Sequence, residues 1–356
     1  MTRRKRLVFG LIAMLLAIVV PIGALLVADL WVHHRVERYA GVNIWGYRGP
    51  SLPRKANGEQ RVVMIGGSTA FGYGVNLTES IPAHLESRLQ ALAKQGSAIR
   101  VVNLGFNNQG AYGFRYAEED YLRLDYDAVI LYEGYNDLGD DPNGFVGRRD
   151  SPVFRLVGYY PLLYAALVEK AMALRNGGNI DAAYWGKTVF KPGLVSRAGA
   201  TTLEAAATVS KTLDAQLDRF SEAPPRPGGR DSVRVADVGC QRRWGFYCAA
   251  VHDAIEYARA HHKRVLVVTQ PYINERHVAQ QTELRTMLAA QYPNVSDVQY
   301  ANMGDALDLK DTNLSFDGMH LTTRGNDIIA ARLVPAVAAL MPEALNAPGA
   351  SAASAR

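Results

Sequence analysis

Four polar segments interrupt an otherwise ordinary chain. The first is Gly66-Gly67-Ser68-Thr69-Ala70-Phe71-Gly72. The second is Asn103-Leu104-Gly105, followed by Asn107-Asn108-Gln109-Gly110. The third is Gly134-Tyr135-Asn136-Asp137, and the fourth, far downstream, is Asp317-Gly318-Met319-His320-Leu321-Thr322-Thr323. A serine hydroxyl is a weak nucleophile until a base takes its proton, and imidazole suits that task near neutral pH. An Asp three residues before a His can hold the second ring nitrogen from the same loop and so select the useful tautomer. Of the eight histidines, His320 alone has this local arrangement beside a helix start. His252, His261 and His262 fall in a helical pattern, His84 on an earlier helix, His33 and His34 beside an apolar stretch, and His277 has no partner nearby in sequence. Taken alone, each segment has a bland reading: an isolated Ser68 at a strand-to-helix turn would serve as a helix N-cap. A phosphate-binding loop would need Lys before the Ser, and a dinucleotide fingerprint different glycine spacing; neither fits.

The elements that must position these segments alternate. Arg61 to Ile65, Arg100 to Leu104, Ala128 to Tyr132 and Arg264 to Thr269 are short apolar runs that read as buried strands. Ile81 to Lys94 has helical periodicity, with Thr78 or Ser80 as N-cap; Tyr112 to Leu124 and Asn326 to Leu340 are also expected helices. Alternation of this kind predicts an α/β fold of three layers, α/β/α, around a central parallel sheet. Three of the four segments follow strands, and ligands in open parallel sheets collect outside the carboxyl ends of the strands. Between about 139 and 239 the rhythm breaks: helical patterns at Pro161–Leu174 and Leu203–Phe220 flank the stretch Asn176–Arg197, and Pro224 to Gly229 is a loop by composition. This region reads as an insertion shaping a pocket, not as a separate domain. The cluster Asp137, Asp140, Asp141 and Asn143 misses the spacing of a calcium loop, and a turn over Asp140–Gly144 explains it.

Together, in order and spacing, the four segments resemble the SGNH (GDSL-like) serine hydrolases, whose conserved blocks carry Ser, Gly, Asn and His. The resemblance runs from about Asn43 to Leu340, apart from the insertion, and Asn43 to Gly49 is similar to the segment preceding the first block in one branch. Gly67 stands where the founding Gly-Asp-Ser-Leu form has Asp, a departure that removes no reacting group. The resemblance implies a flavodoxin-like sheet and an esterase in which Ser68 is nucleophile, His320 general base and Asp317 the orienting carboxylate. It assigns the oxyanion donors to the Ser68 and Gly105 backbone N–H groups and the Asn136 side chain. Asp137 is as readily a loop cap as a catalytic group. No cofactor or metal is implied.

The net charge of +5 is owed mostly to Arg3, Arg4, Lys5 and Arg6, which leave +1 for the remainder, so no nucleic-acid-binding face follows. Behind this basic tail (1–6), Leu7 to Ala28 carries no charge and is long enough to cross a bilayer. Cations stay on the cytoplasmic side, so a single-pass signal-anchor over 7–28 would put the catalytic domain outside the cytoplasm, in the periplasm of a bacterium. A cleaved leader with an unusually long core is the alternative. A juxtamembrane segment (29–60), the hydrolase domain (61–341) and a disordered Ala-, Ser- and Pro-containing tail (342–356) are expected to follow. In an oxidising compartment Cys240 and Cys248, the two cysteines, would close a small loop as a disulfide; two separate buried thiols are the competing reading. The expected partner is an ester-bearing small molecule, glycan (an O-acetylated polysaccharide first) or lipid. An O-acyltransferase with the same triad, or a glycan-binding module without turnover, are the other functions the sequence admits.

Overall fold

The computed structural model describes residues 3–132, 134–139, 151–178, 193–218, 238–241 and 243–346. It divides into two compact units, Met1–Gly46 with Ser151–Pro224, and Tyr47–Asp150 with Pro225–Arg356.

The second unit carries the sheet. Strands β1 (Glu59–Gly66), β2 (Ala98–Asn103), β3 (Ala128–Tyr132), β4 (Arg264–Thr269) and β5 (Val298–Asn302) pair in the order β2-β1-β3-β4-β5. All four pairings are parallel, giving the expected three-layer α/β/α fold. The central strands are continuous apolar runs because both faces are covered: Val62 to Ile65 and Ala128 to Tyr132 are buried throughout. Against one face lie α3 (Ile81–Leu92), through Ile81, Leu85 and Leu89, and the C-terminal helix α10 (Thr323–Leu340), through Ile329, Leu333 and Val337. The short α2 (Ser68–Phe71) precedes α3, and α4 (Phe114–Tyr121), α8 (Gly245–Ala260) and α9 (Glu275–Gln291) come between α3 and α10 in sequence. Chain order reverses between β1 and β3, which opens a crevice at their carboxyl ends.

Several boundaries differ from expectation. Ser80 stands at the N-cap position of α3, but its hydroxyl donates to the Leu77 carbonyl; the capping box belongs instead to Asn76 and Glu79, one turn earlier. The helix expected over Tyr112–Leu124 is α-helical only over Phe114–Tyr121, with 3-10 turns on both sides. The packed domain runs past 341: Ala344 and Leu345 are buried, and Leu345 bridges Ala93. At the other end Tyr47 and Arg48, assigned to a juxtamembrane connector, are buried in this unit. Cys240 and Cys248 form a disulfide, with Cα atoms 6.4 Å apart.

The first unit is helical. Its α1 (Arg3–Ala40) continues well beyond the apolar run, and one helix among the described residues, Arg4–Ala40, is long and apolar enough to cross a membrane, with a mean hydropathy of 2.9 over its most apolar 18 residues. The lower part of α1 is polar for a structural reason. Asp29 is buried and accepts hydrogen bonds from the Tyr159 hydroxyl and from the Leu162 and Leu163 N–H groups, while His33 Nε2 lies 2.7 Å from the Tyr160 carbonyl. These contacts tie α1 to the connector that follows α5 (Pro152–Val157) and to the start of α6 (Leu163–Arg175), and α6 packs on α7 (Leu194–Asp218). Much of the region expected as an insertion in the sheet domain therefore groups with the N-terminal helix. The turn expected over Asp140–Gly144 and the loop Pro224–Gly229 lie outside the described residues.

Candidate active site

β1 stops at Gly66, where a side chain is impossible: a Cβ would lie 2.1 Å from the Tyr132 carbonyl oxygen. Gly67 then caps the four-residue helix α2, whose first residue is Ser68 and whose C-cap, Gly72, is left-handed (φ 83°). As first helical residue, Ser68 has a backbone N–H with no intrahelical acceptor. The far end of this turn is held by Arg48, whose guanidinium donates to the carbonyls of Phe71, Gly72 (2.7 Å) and Val75 (2.7 Å). Burial lowers the Arg48 pKa to about 10, and its charge faces three carbonyls at a helix C-terminus.

His320 arrives from the loop before α10, which is fixed by Thr322: its hydroxyl accepts from the Gly325 N–H at 3.2 Å and donates to the Asn313 carbonyl at 2.6 Å. His320 Nε2 lies 2.8 Å from Ser68 Oγ, and Nδ1 lies 2.6 Å from Asp317 Oδ2. The other Asp317 oxygen accepts from the backbone N–H groups of Met319 (2.9 Å) and His320 (2.7 Å). Burial pushes the Asp317 carboxyl up, but the His320 ring and these two N–H groups together outweigh it and hold its pKa below the ordinary value. With the proton on Nδ1 shared with the carboxylate, Nε2 is free to accept the Ser68 proton. Tyr73 and Phe316, both about half exposed (47% and 45%), flank the imidazole with ring centroids 4.8 and 5.9 Å away.

Gly105 and Gly110, the two glycines of the second polar segment, differ in what their N–H groups do. Gly105 is buried and must be glycine, since a Cβ there would lie 2.4 Å from the Phe71 nitrogen. Its N–H, however, already donates to Asn103 Oδ1 at 3.0 Å. Among the described residues no acceptor takes the N–H of Gly110, which is also buried. The peptide preceding that N–H is fixed by Asn136, whose Nδ2 donates to the Gln109 carbonyl at 3.0 Å. Gly110 thus stands beside Asn136 with a donor still available, and Gly105 does not have one. The sequence did carry a signal for Gly110, a second glycine in the same polar segment, but only the fold shows which N–H is committed.

Asp137 takes the structural role. Its Oδ2 accepts the Ala111 N–H at 2.8 Å, and a Cβ on Gly110 would meet its Oδ1 at 2.7 Å. Burial pushes its carboxyl up to about 7, against the opposing pull of the Ala111 N–H. Two residues passed over in the sequence also sit behind the site. Gln270 bridges Thr69 and Tyr135, at 2.6 and 3.0 Å. His277 is fully buried, its pKa lowered to about 4 by that burial, and packs edge-on against Tyr135.

No family model and no curated protein matches the sequence. Solved structures similar in fold include an acetylxylan esterase, Axe2, from Geobacillus stearothermophilus (15% identity, TM-score 0.41, covering 77% of this chain and 92% of that one). Another is a member of the lipolytic protein G-D-S-L family from Veillonella parvula DSM 2008 (10%, 0.39, 77% and 96%). A third is the lipase/acylhydrolase from Enterococcus faecalis (12%, 0.39, 78% and 95%). At these values the chemistry has to be read from the site itself.

Proposed function

We propose that the protein is a serine esterase. The observation that carries this reading is the unbroken line Asp317–His320–Ser68, with 2.6 and 2.8 Å steps, ending on a hydroxyl at the mouth of a topological switch point. Ser68 Oγ attacks the ester carbonyl while His320 Nε2 takes its proton. The resulting imidazolium, steadied by Asp317, returns that proton to the departing alcohol oxygen as the C–O bond breaks. Water, deprotonated by the same imidazole, then cleaves the acyl–Ser68 bond and regenerates the hydroxyl. Each tetrahedral oxyanion would be held by the Ser68 and Gly110 N–H groups and the Asn136 amide.

The substrate class we favour is an O-acyl group, acetyl first, on an extracytoplasmic glycan. Tyr73 and Phe316 offer flat, half-exposed apolar faces beside the imidazole, where the alcohol portion of an ester would lie. The Cys240–Cys248 disulfide favours an oxidising compartment. Arg3, Arg4, Lys5 and Arg6, in the first turn of α1 and ahead of its apolar run, favour an anchor with its N-terminus in the cytoplasm and the sheet domain outside. The test uses the full-length chain in detergent with p-nitrophenyl acetate and an acetylated oligosaccharide, beside Ser68→Ala. Hydrolysis abolished by Ser68→Ala supports the reading, and hydrolysis that survives it refutes the nucleophile. Turnover only when a sugar acceptor is added would identify an acyltransferase instead.

A further inference from the structure

Three strand ends must be kept in register for the proposed chemistry, and a single side chain spans them. Gln270 follows β4 directly, is fully buried, and lies over the carboxyl ends of β1 and β3. Its Nε2 donates to Thr69 Oγ1 at 2.6 Å, and its Oε1 accepts the Tyr135 N–H at 3.0 Å. Thr69 is the residue after Ser68, and Tyr135 is the residue before Asn136. Tyr135 is gripped a second time from the same segment, because its hydroxyl donates to the Pro271 carbonyl. His277 closes against its ring, with centroids 5.0 Å apart.

We infer that Gln270 is a positioning residue that locks the nucleophile turn to the oxyanion-hole turn; this rests on the esterase reading above. A carboxamide has a donor at one end and an acceptor at the other, so one planar group satisfies both turns. A carboxylate would bring a charge into this buried position, and an aliphatic side chain would remove both hydrogen bonds at once. Gln270 has no hydrogen bond to Ser68, His320 or Asn136 and acts only through their neighbours. Fixing both turns to one rigid group keeps the Ser68 hydroxyl and the Asn136 amide at the separation the tetrahedral intermediate requires. Misplacement by about 1 Å at such a site can cost ~100-fold in rate.

The experiment compares the full-length wild-type chain with Gln270→Leu, Thr69→Val and the double variant. It measures kcat and KM on p-nitrophenyl acetate, the rate of Ser68 phosphonylation by a fluorophosphonate, and thermal melting. Gln270→Leu is expected to lose kcat by ~100-fold and to slow phosphonylation, with KM unchanged and a cooperative melt retained. Thr69→Val cuts only the nucleophile arm, so its loss is smaller, and the double variant is expected to be no worse than Gln270→Leu. Wild-type kcat in Gln270→Leu, or losses that multiply in the double variant, would overturn the coupling. If Gln270→Leu does not fold, full kcat in Thr69→Val overturns it and a partial loss at unchanged KM supports it. A wild-type chain that takes no phosphonate at Ser68 would overturn the esterase reading itself, a different outcome from a labelled wild type beside an equally fast Gln270→Leu.

Discussion

Asp317 holds His320 at two points: Oδ2 meets the ring at Nδ1, 2.6 Å away, and Oδ1 accepts the backbone N–H of the same residue at 2.7 Å. The left-handed Gly318 (φ 80°) lets the intervening chain turn tightly enough for both. One carboxylate therefore fixes the position of the histidine and the tautomer of its ring.

Asp317→Asn should separate these roles. The amide oxygen can still accept the backbone N–H, but the side chain no longer enforces the proton on Nδ1. A loss of kcat on the order of 10⁴-fold is expected with the fold intact, by analogy with the same change in other triads. Steady-state kinetics alongside circular dichroism checks it. The lowered Asp317 pKa adds a sign: the ionised, hydrogen-bonded carboxylate stabilises the loop at neutral pH, and that contribution is lost as pH falls through its depressed folded value.

Asn136→Ala should cost about 2.7–4 kcal/mol of transition-state stabilisation, roughly a hundred- to thousand-fold in kcat. The chain should remain folded, because Asn136 is only half buried and its bond to the Gln109 carbonyl is one of several holding that loop. A KM that rises while kcat stays constant would place Asn136 in ground-state binding instead.

The two glycines should part company. Gly105→Ala puts a methyl 2.4 Å from a backbone nitrogen, which nothing nearby can yield, so the expected result is loss of stability seen as a lowered Tm. Gly110→Ala presses on a side-chain oxygen, Asp137 Oδ1, at 2.7 Å. It should disturb the loop proposed to hold the oxyanion and lower kcat while the melt changes little. Equal effects on Tm would argue against separate roles for the two glycines.

Asp137 gives a pH test. Its folded pKa is raised to about 7 from an ordinary 3.8, so between those values the folded protein keeps a proton that the unfolded chain has lost. Stability should therefore decline as pH rises from about 4 to about 7. Asp137→Asn cannot ionise and should flatten that part of the Tm-against-pH curve. A curve of unchanged slope in the variant would remove Asp137 as its source.

What could be read before folding was local. β1, β3 and β4 are uninterrupted apolar runs because both faces of each are covered, so their positions followed from the residues alone. β5 escaped notice because an edge strand half open to solvent has no such run: Val298-Gln299-Tyr300-Ala301-Asn302 buries only Ala301. Ser68 and His320 were legible as residue types in telling neighbourhoods, while their 2.8 Å approach across 252 positions is tertiary. Gly110 and Gln270 were not singled out. A free N–H is defined by what its neighbours accept, and a lone glutamine after a strand has no signature until both of its partners are in place. The grouping of Ser151–Pro224 with the N-terminal helix was hidden for a similar reason, since it depends on Asp29 and His33 reaching Tyr159 to Leu163.

The most direct measurement is covalent trapping. The full-length chain is incubated with a fluorophosphonate at pH 7.5 and digested, and the modified peptide is sequenced by mass spectrometry, with His320→Ala in parallel. The expected result is one phosphonyl group per chain on Ser68, formed rapidly in the wild type and at least a hundredfold more slowly without the imidazole. Modification at another residue, or labelling of Ser68 at the same rate in His320→Ala, would contradict the proposed nucleophile and base.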